Sequence, residues 1–471
     1  MRKTKIVCTI GPASANEETL SKMCLAGMNV ARLNFSHGTQ AEHLEKINLI
    51  KKVREKLGLP IAIMLDTKGP EYRIKTFENG FINLADGDDF TFTTDELVGN
   101  EKIVSVSYAG MAEELSCGDM ILLNNGLMSF RVVSVEPPLV KTKVVCGGEL
   151  RDRKSMSFPG KVLRQKFLSE QDKSDILFGI EQGVDYIACS FVSVKQDLLD
   201  IHEFLSKHGA EKKIELIAKI ENQSGVDNIE EICSACDGIM IGRGDMGVEI
   251  PFEELPAIQK TLITKCRLLG KRVITATEML ESMIYNQRPT RAEISDVANA
   301  VYDGTSAIML SGETAAGKYP VKTVETMAKI AEYAESSIDY KHLFSTSEFK
   351  IKNTVDAISH ATCGMAIDIK AKAIVACSIS GMTARMVSRF RSPVDIIGLT
   401  TEESTWRKLA LSWGVTPVIC EKFPSTEVLF YTAKKLAKQQ MNLKSGDKLV
   451  ITGGVTNGQS GNTNLIKIEE I

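Results

Sequence analysis

Lys219 and Glu221 stand two residues apart at the end of an apolar, strand-like run from Ile214 to Ile220. Residues i and i+2 of a strand point to the same side, so this ammonium and this carboxylate share one mouth. A second apolar run, Gly238 to Ile241, ends in Gly242-Arg243-Gly244-Asp245 and brings Asp245 in from a neighbouring strand. One ammonium beside two carboxylates suits a divalent metal that holds a phosphorylated, anionic substrate. The blander alternative is a structural ion pair.

Those two runs belong to a series of eight: Lys5–Ile10, Met28–Leu33, Ile61–Leu65, Tyr186–Phe191, Ile214–Ile220, Gly238–Ile241, Arg272–Ala276 and Ala307–Leu310. Most are continuously apolar, as strands covered on both faces must be. Helical patterns lie between them, at Glu17–Ala26, Gln40–Leu57, Asp172–Gln182, Pro256–Leu269 and Arg291–Val301. Eight β/α units predict a (β/α)8 TIM barrel with its site at the strand C-termini. From Lys75 to Leu150 the pattern changes to short alternating strands at Phe90–Thr93, Ile103–Tyr108, Ser129–Val135 and Val140–Val145, punctuated by Asn-Gly, Asp-Gly and Gly-Gly turns. An insert after the third strand hangs over the site and reads as a small all-β lid. After Asp339 a new α/β series begins, with strands at Ala373–Cys377, Asp395–Leu399, Pro417–Cys420, Lys448–Ile451 and Asn464–Ile468; Tyr340–Ile351 is polar and ambiguous. The expected domains are a barrel at 1–72 and 155–339, a lid at 73–154, and a C-terminal α/β regulatory domain at 340–471.

The strand ends deliver a consistent set of residues. The second strand gives Arg32, Asn34 and Ser36, the third Asp66, Thr67, Glu71 and Arg73, and the fifth Lys219 and Glu221. The sixth gives Arg243, Gly244 and Asp245, the seventh Thr275, Thr277 and Glu278, and the eighth Ser311, Glu313 and Thr314. Polar caps alone do not explain four cations, Arg32, Arg73, Lys219 and Arg243, aimed at one mouth beside several carboxylates. Phosphoryl transfer needs that mixture, with carboxylates to hold metal and cations to neutralise the moving charge. Asn34, Ser36, Asp66 and Thr67 form a second, oxygen-rich cluster that suits a monovalent cation or a water network, and spacing alone favours the water network.

Bulk properties narrow the class. With 471 residues the chain is long enough for two or three domains, and 43% hydrophobic with 25% charged residues describes a globular protein. A net charge of -3 argues against a dedicated nucleic-acid surface. No apolar run reaches about 18 residues, so no membrane span is expected. The apolar stretch after the basic start stops at Gly11-Pro12, too short for a signal peptide. Eleven cysteines scattered through apolar segments suit reduced thiols and a cytoplasmic location.

The segment from Ile214 through Lys219-Ile220-Glu221-Asn222 to Val226 resembles the active-site signature of the pyruvate kinase family. So do Asn29 to Gly38, Asp66-Thr67-Lys68-Gly69-Pro70-Glu71, Gly244-Asp245, Thr275-Ala276-Thr277 and Met309 to Ala315. The resemblance runs essentially from end to end and is to the bacterial type without an appended C-terminal domain. It implies phosphoryl transfer from phosphoenolpyruvate to ADP, giving pyruvate and ATP. It places Mg2+ or Mn2+ on Glu221 and Asp245, and K+ on Asn34, Ser36, Asp66 and Thr67, against the water network. A glutamate at position 71 goes with potassium dependence in that family. Lys219 is implied to stabilise the phosphoryl group in flight and Arg32 to contact phosphate. Gly244, Asp245 and Thr277 hold the substrate, and Arg73 and Lys154 reach the nucleotide. Thr277, Ser311 and Glu313 lie on the usual proton path to the enolate. A homotetramer is the usual assembly.

This sequence departs from the family pattern at Glu278, where glutamine is common, at Asn124-Asn125-Gly126, where paired aspartates are usual, at Ser193, and around Lys154. Two rivals therefore stay open: a Schiff-base aldolase using Lys219, and a non-catalytic metabolite sensor on the same fold. Three motifs are decoys. Gly242 to Gly247 fits a dinucleotide loop, but Val248-Glu249-Ile250-Pro251 follows where a helix should open. Gly312 to Lys318 resembles a Walker loop with Tyr319 in the hydroxyl position, and Cys233-Ser234-Ala235-Cys236 is a lone pair of helix thiols. In the C-terminal domain, Ser378, Ser380, Gly381 and Thr383 open a helix after a strand and offer an anion site, or simply a cap. The resemblance raises a phosphorylated sugar effector there, helped by the Gly453 to Gly461 loop.

Overall fold

The apolar runs become strands because both their faces are covered. In the computed structural model, which describes residues 2–161, 166–423, 425–454 and 463–471, eight parallel strands close into a barrel. They are Lys5–Thr9, Val30–Asn34, Ala62–Asp66, Tyr186–Cys189, Glu215–Ile220, Gly238–Gly242, Arg272–Ala276 and Ala307–Leu310. They follow chain order round the barrel, and the eighth closes on the first through Lys5↔Ala307. Val7, Met64, Tyr186, Ile217, Met240 and Ile274 fill the barrel interior, and a larger apolar shell seals the strands against the helices. Local signals set the helix ends. Thr39 and Thr290 each form a capping box with the glutamate three residues on, and Gly58 and Gly304 end those helices in the left-handed conformation.

The insert is a seven-stranded sheet with a separate two-stranded ribbon, Phe81–Leu84 against Gly148–Arg151. Phe90, Phe92 and Phe130 pack its centre. It is tethered where Tyr72–Arg73 pairs antiparallel with Ser155–Ser157. The C-terminal sheet has four parallel strands, Val415–Ile419, Asp395–Thr400, Ala373–Cys377 and Lys448–Gly453, and an antiparallel fifth, Leu465–Glu470. It docks on the end of the barrel where the strands begin: Lys5 Nζ donates to the Val415 carbonyl (2.7 Å) and Arg407 Nε to Asp185 (2.8 Å). The mouth at the strand C-termini is left to the lid.

Two local expectations change. The ambiguous segment holds a helix, Tyr340–Thr346, capped by Asp339. A seven-residue helix, Arg243–Glu249, does open after the sixth strand, so the absence of a helix was the wrong ground for setting aside a dinucleotide loop. The closed barrel is the right one, because that motif belongs to an open sheet. Residues 455–461 of the loop from Gly453 to Gly461 lie outside the described residues. Among the described residues no helix is long and apolar enough to cross a membrane.

Candidate active site

Lys219 is the hub. Its Nζ lies 3.0 Å from Glu221 Oε1 and 3.1 Å from Asp66 Oδ1, and donates to Ser190 Oγ at 2.7 Å. Burial alone would lower its pKa, but the Asp66 and Glu221 carboxylates outweigh that and raise it above the ordinary lysine range. Lys219 is thus a fixed cation, whereas a Schiff-base lysine needs a neutral amine, and this counts against the aldolase. Asp66 is fully buried and receives Arg32 Nε at 2.6 Å. Burial pushes Asp66 up, and Arg32 and Lys219 more than reverse it, leaving its carboxyl below the usual range. Arg32 Nη1 donates to Thr9 Oγ1 at 2.9 Å, so two strands fix the guanidinium.

Glu221 accepts the Phe191 N–H at 2.8 Å. Phe191 holds φ at +58°, a strained setting for a side-chain-bearing residue, which aims its amide at the carboxylate. Burial, with Asp245 and Asp66, pushes Glu221 upward while Lys219 opposes. Two glycines make room. A Cβ on Gly242 would sit 2.6 Å from Glu221 Oε1, and one on Gly69 2.9 Å from the Ser190 carbonyl. Asp245, in the first turn of Arg243–Glu249, lines the cleft between barrel and lid, and its charge acts on both Lys219 and Glu221. That cleft of about 750 Å³ is also lined by Glu71, Arg73, Lys154 and Asn222.

The structure distributes the remaining residues unevenly. The Gly244 N–H donates to Thr277 Oγ1 at 2.9 Å, and Thr277 and the exposed Glu278 both take positive φ, +69° and +54°. Asn34 and Asp66 are register partners on adjacent strands; the Ser36 N–H donates to Asn34 Oδ1 (3.1 Å) and Thr67 Oγ1 to the Ala188 carbonyl (3.3 Å). Arg73 pairs with Glu71 and donates to the Arg153 carbonyl at 2.6 Å, beside Lys154. Asn124 and Asn125 adopt left-handed backbone, with Ser155 Oγ donating to Asn125 Oδ1 at 3.2 Å.

One expectation needs correction. Arg243 is not one of the mouth cations: it is spent on Asp296 (2.8 Å), the Ala276 carbonyl (3.2 Å) and the Thr277 carbonyl, and so props the seventh strand's loop. Glu313 is wholly buried, with Oε1 accepting the Leu280 N–H (3.1 Å) and Oε2 the Ser311 N–H (2.7 Å). Both oxygens hold backbone, so Glu313 fixes this loop; among the described residues Ser311 Oγ is buried without a protein partner. In the C-terminal domain, the Thr383 hydroxyl bonds Thr463 (2.7 Å), and its N–H donates to Ser378 Oγ at 3.4 Å. Gly381 caps the helix at φ +80°, and Ser380 is exposed.

Sequence reasoning missed Thr9 and Ser190. Thr9 is the last residue of the first strand and Ser190 follows the fourth, the two strands whose ends went unquestioned, and each is the polar residue just before the apolar one, Ile10 or Phe191, that closes its run.

The family model described as "Pyruvate kinase, barrel domain" matches residues 1–324, and "Pyruvate kinase, alpha/beta domain" matches residues 356–469. The pyruvate kinase of Staphylococcus saprophyticus is 48% identical over 99% of this chain, and that of Geobacillus stearothermophilus 46% over 100%; each match covers 80% of the relative's own length. The crystal structure of a pyruvate kinase from Cryptosporidium parvum superposes with a TM-score of 0.95 at 37% identity, covering 100% of this chain and 96% of that one. The chain belongs to the pyruvate kinase family.

Proposed function

We propose that the Lys219 cluster carries the phosphoryl transfer of this enzyme, and that Lys219, Arg32, Glu221 and Asp245 are its working residues. The enzyme transfers the phosphoryl group of phosphoenolpyruvate to ADP, giving pyruvate and ATP, the last step of glycolysis. One observation carries the assignment of the site: a buried ammonium held between two carboxylates, with a third carboxylate lining a cleft of about 750 Å³. Lys219 offers a fixed positive charge to the travelling phosphoryl group, and Arg32, locked by Asp66 and Thr9, orients its phosphate oxygens. The Gly244 amide and Thr277 hydroxyl hold the substrate carboxylate, and Arg73 and Lys154 take the nucleotide phosphates from the lid side. Thr277 and Ser311 are the hydroxyls placed to pass a proton to the enolate, with Glu313 fixing their loop.

Glu221 and Asp245 fit a divalent cation, since burial and mutual repulsion raise Glu221 and a metal would relieve both. Among the described residues no three His, Cys, Asp or Glu side chains gather into a metal cage. Two carboxylates with the remaining ligands from substrate and water is how Mg2+, or Mn2+ in its place, is ordinarily held. Such an ion supplies Lewis-acid stabilisation of the phosphoryl oxygens. Asn34, Ser36, Asp66 and Thr67 supply hard oxygens at adjacent strand ends, which fits K+.

The domain limits are placed at 1–72 with 155–339, 73–154 and 340–471, the last binding a sugar phosphate at Ser378, Ser380, Gly381 and Thr383. A homotetramer in the cytoplasm completes this reading on the strength of the family likeness. The test of the site's cation requirement is ATP formation from phosphoenolpyruvate and ADP, with Mg2+ and K+ each present or withheld. Turnover that requires both supports the assignment, and full turnover without either contradicts it.

A further inference from the structure

A second, small cavity lies at the seam between the barrel and the C-terminal domain, and cations crowd it. Arg267, Lys271 and Arg272 line it from the barrel, and Arg385, Arg389 and Arg391 from the C-terminal domain. Among the described residues only three carboxylates pair with these six side chains. Arg272 pairs with Glu215 (2.5 Å), Arg385 with Asp237 (3.0 Å) and Glu215 (3.5 Å), and Arg389 with Asp356 (3.1 Å). Arg391 donates to the Ser388 and Gly304 carbonyls and Ser306 Oγ, and Lys271 to the Cys236 carbonyl, all uncharged. Glu335 and Tyr340 reach Arg391 only at longer range.

Donors remain after this pairing. Among the described residues the Nε groups of Arg267, Arg385, Arg389 and Arg391, and Nη2 of Arg389, are buried without a protein acceptor. Arg267, Arg389 and Arg391 are only 8%, 6% and 3% exposed. An unmet donor on a buried charge is among the least favourable features a fold can carry. Burial lowers the pKa of all three guanidiniums, and Arg267 lowers Arg391 further, to about 9. A neutral water could accept two of these hydrogen bonds but would leave the charge uncompensated.

We infer that this cavity binds one compact inorganic anion, held by Arg267, Arg389 and Arg391 where the two domains meet. Its volume of about 10 Å³ admits a single water-sized particle, which favours a halide over a tetrahedral oxyanion. Because both domains supply donors, the anion stabilises their docking.

The test uses the full chain exchanged into gluconate at fixed ionic strength and pH, then titrated with bromide. The melting midpoint rises saturably, by about 1–3 °C. Arg389→Gln and Arg267→Gln lose the rise, while Arg151→Gln on the exposed lid surface keeps it. In bromide-soaked crystals of the unaltered protein, an anomalous peak stands within hydrogen-bond distance of Arg391 Nε. No peak in the cavity overturns the inference even if the variants fail to fold. An undiminished rise in both arginine variants overturns it too, and a response to inorganic phosphate but not bromide overturns the size assignment.

Discussion

Lys219 works as a held charge, and its neighbours divide the holding. Ser190 contributes one neutral hydrogen bond, worth roughly 0.5–1.5 kcal/mol. Ser190→Ala should therefore lower kcat roughly 3–10-fold with little change in KM for ADP, which steady-state kinetics will show. Asp245→Asn should chiefly raise the Mg2+ concentration needed for half-maximal rate, and an unchanged metal titration counts against Asp245 as a ligand. Lys219 and Glu221 were legible because strand alternation fixes which side each residue faces, and Asp245 because it follows directly on the end of the neighbouring strand, in the first turn of the helix there. The partners of Arg243 and Glu313 were not, since they come from residues far apart in the chain: Asp296 for one, the Leu280 amide for the other. Sequence shows a charge at a strand end, but not whether a neighbouring loop consumes it.

At the scale of elements, continuous apolar strands and long periodic helices announce themselves. Glu17–Ala26 and Gln40–Leu57 have the limits that their caps and periodicity predict. Two- to four-residue lid strands such as Tyr72–Arg73 and Ser155–Ser157 escape, because so few residues carry no periodicity. The first barrel strand bears a testable electrostatic load. Burial, with Arg2 adding, pushes Lys5 from its ordinary 10.5 down to about 7. Between those values the unfolded chain holds the proton and the folded one releases it, so stability rises with pH across the window. Below about 7 both states are protonated and the penalty is full. Lys5→Met removes this component. The melting midpoint of the variant relative to the parent should fall as pH rises from about 7 to 9. A constant difference across that range contradicts the buried-lysine account.

The whole molecule places chemistry and docking at opposite ends of one barrel. The fifth strand spans both: Glu215 at its start is gripped by Arg272 and by Arg385 of the C-terminal domain, and Lys219 and Glu221 stand near its finish. The barrel brings eight strand ends to one mouth, and the lid roofs the cleft, which favours transfer to ADP over loss to water. The most direct measurement is the rate of ATP formation from phosphoenolpyruvate and ADP by Lys219→Met, with Mg2+ and K+ saturating and folding checked by the melting midpoint. A folded variant whose turnover drops roughly 10²–10⁴-fold is the predicted result. A folded variant that retains parental turnover contradicts the account.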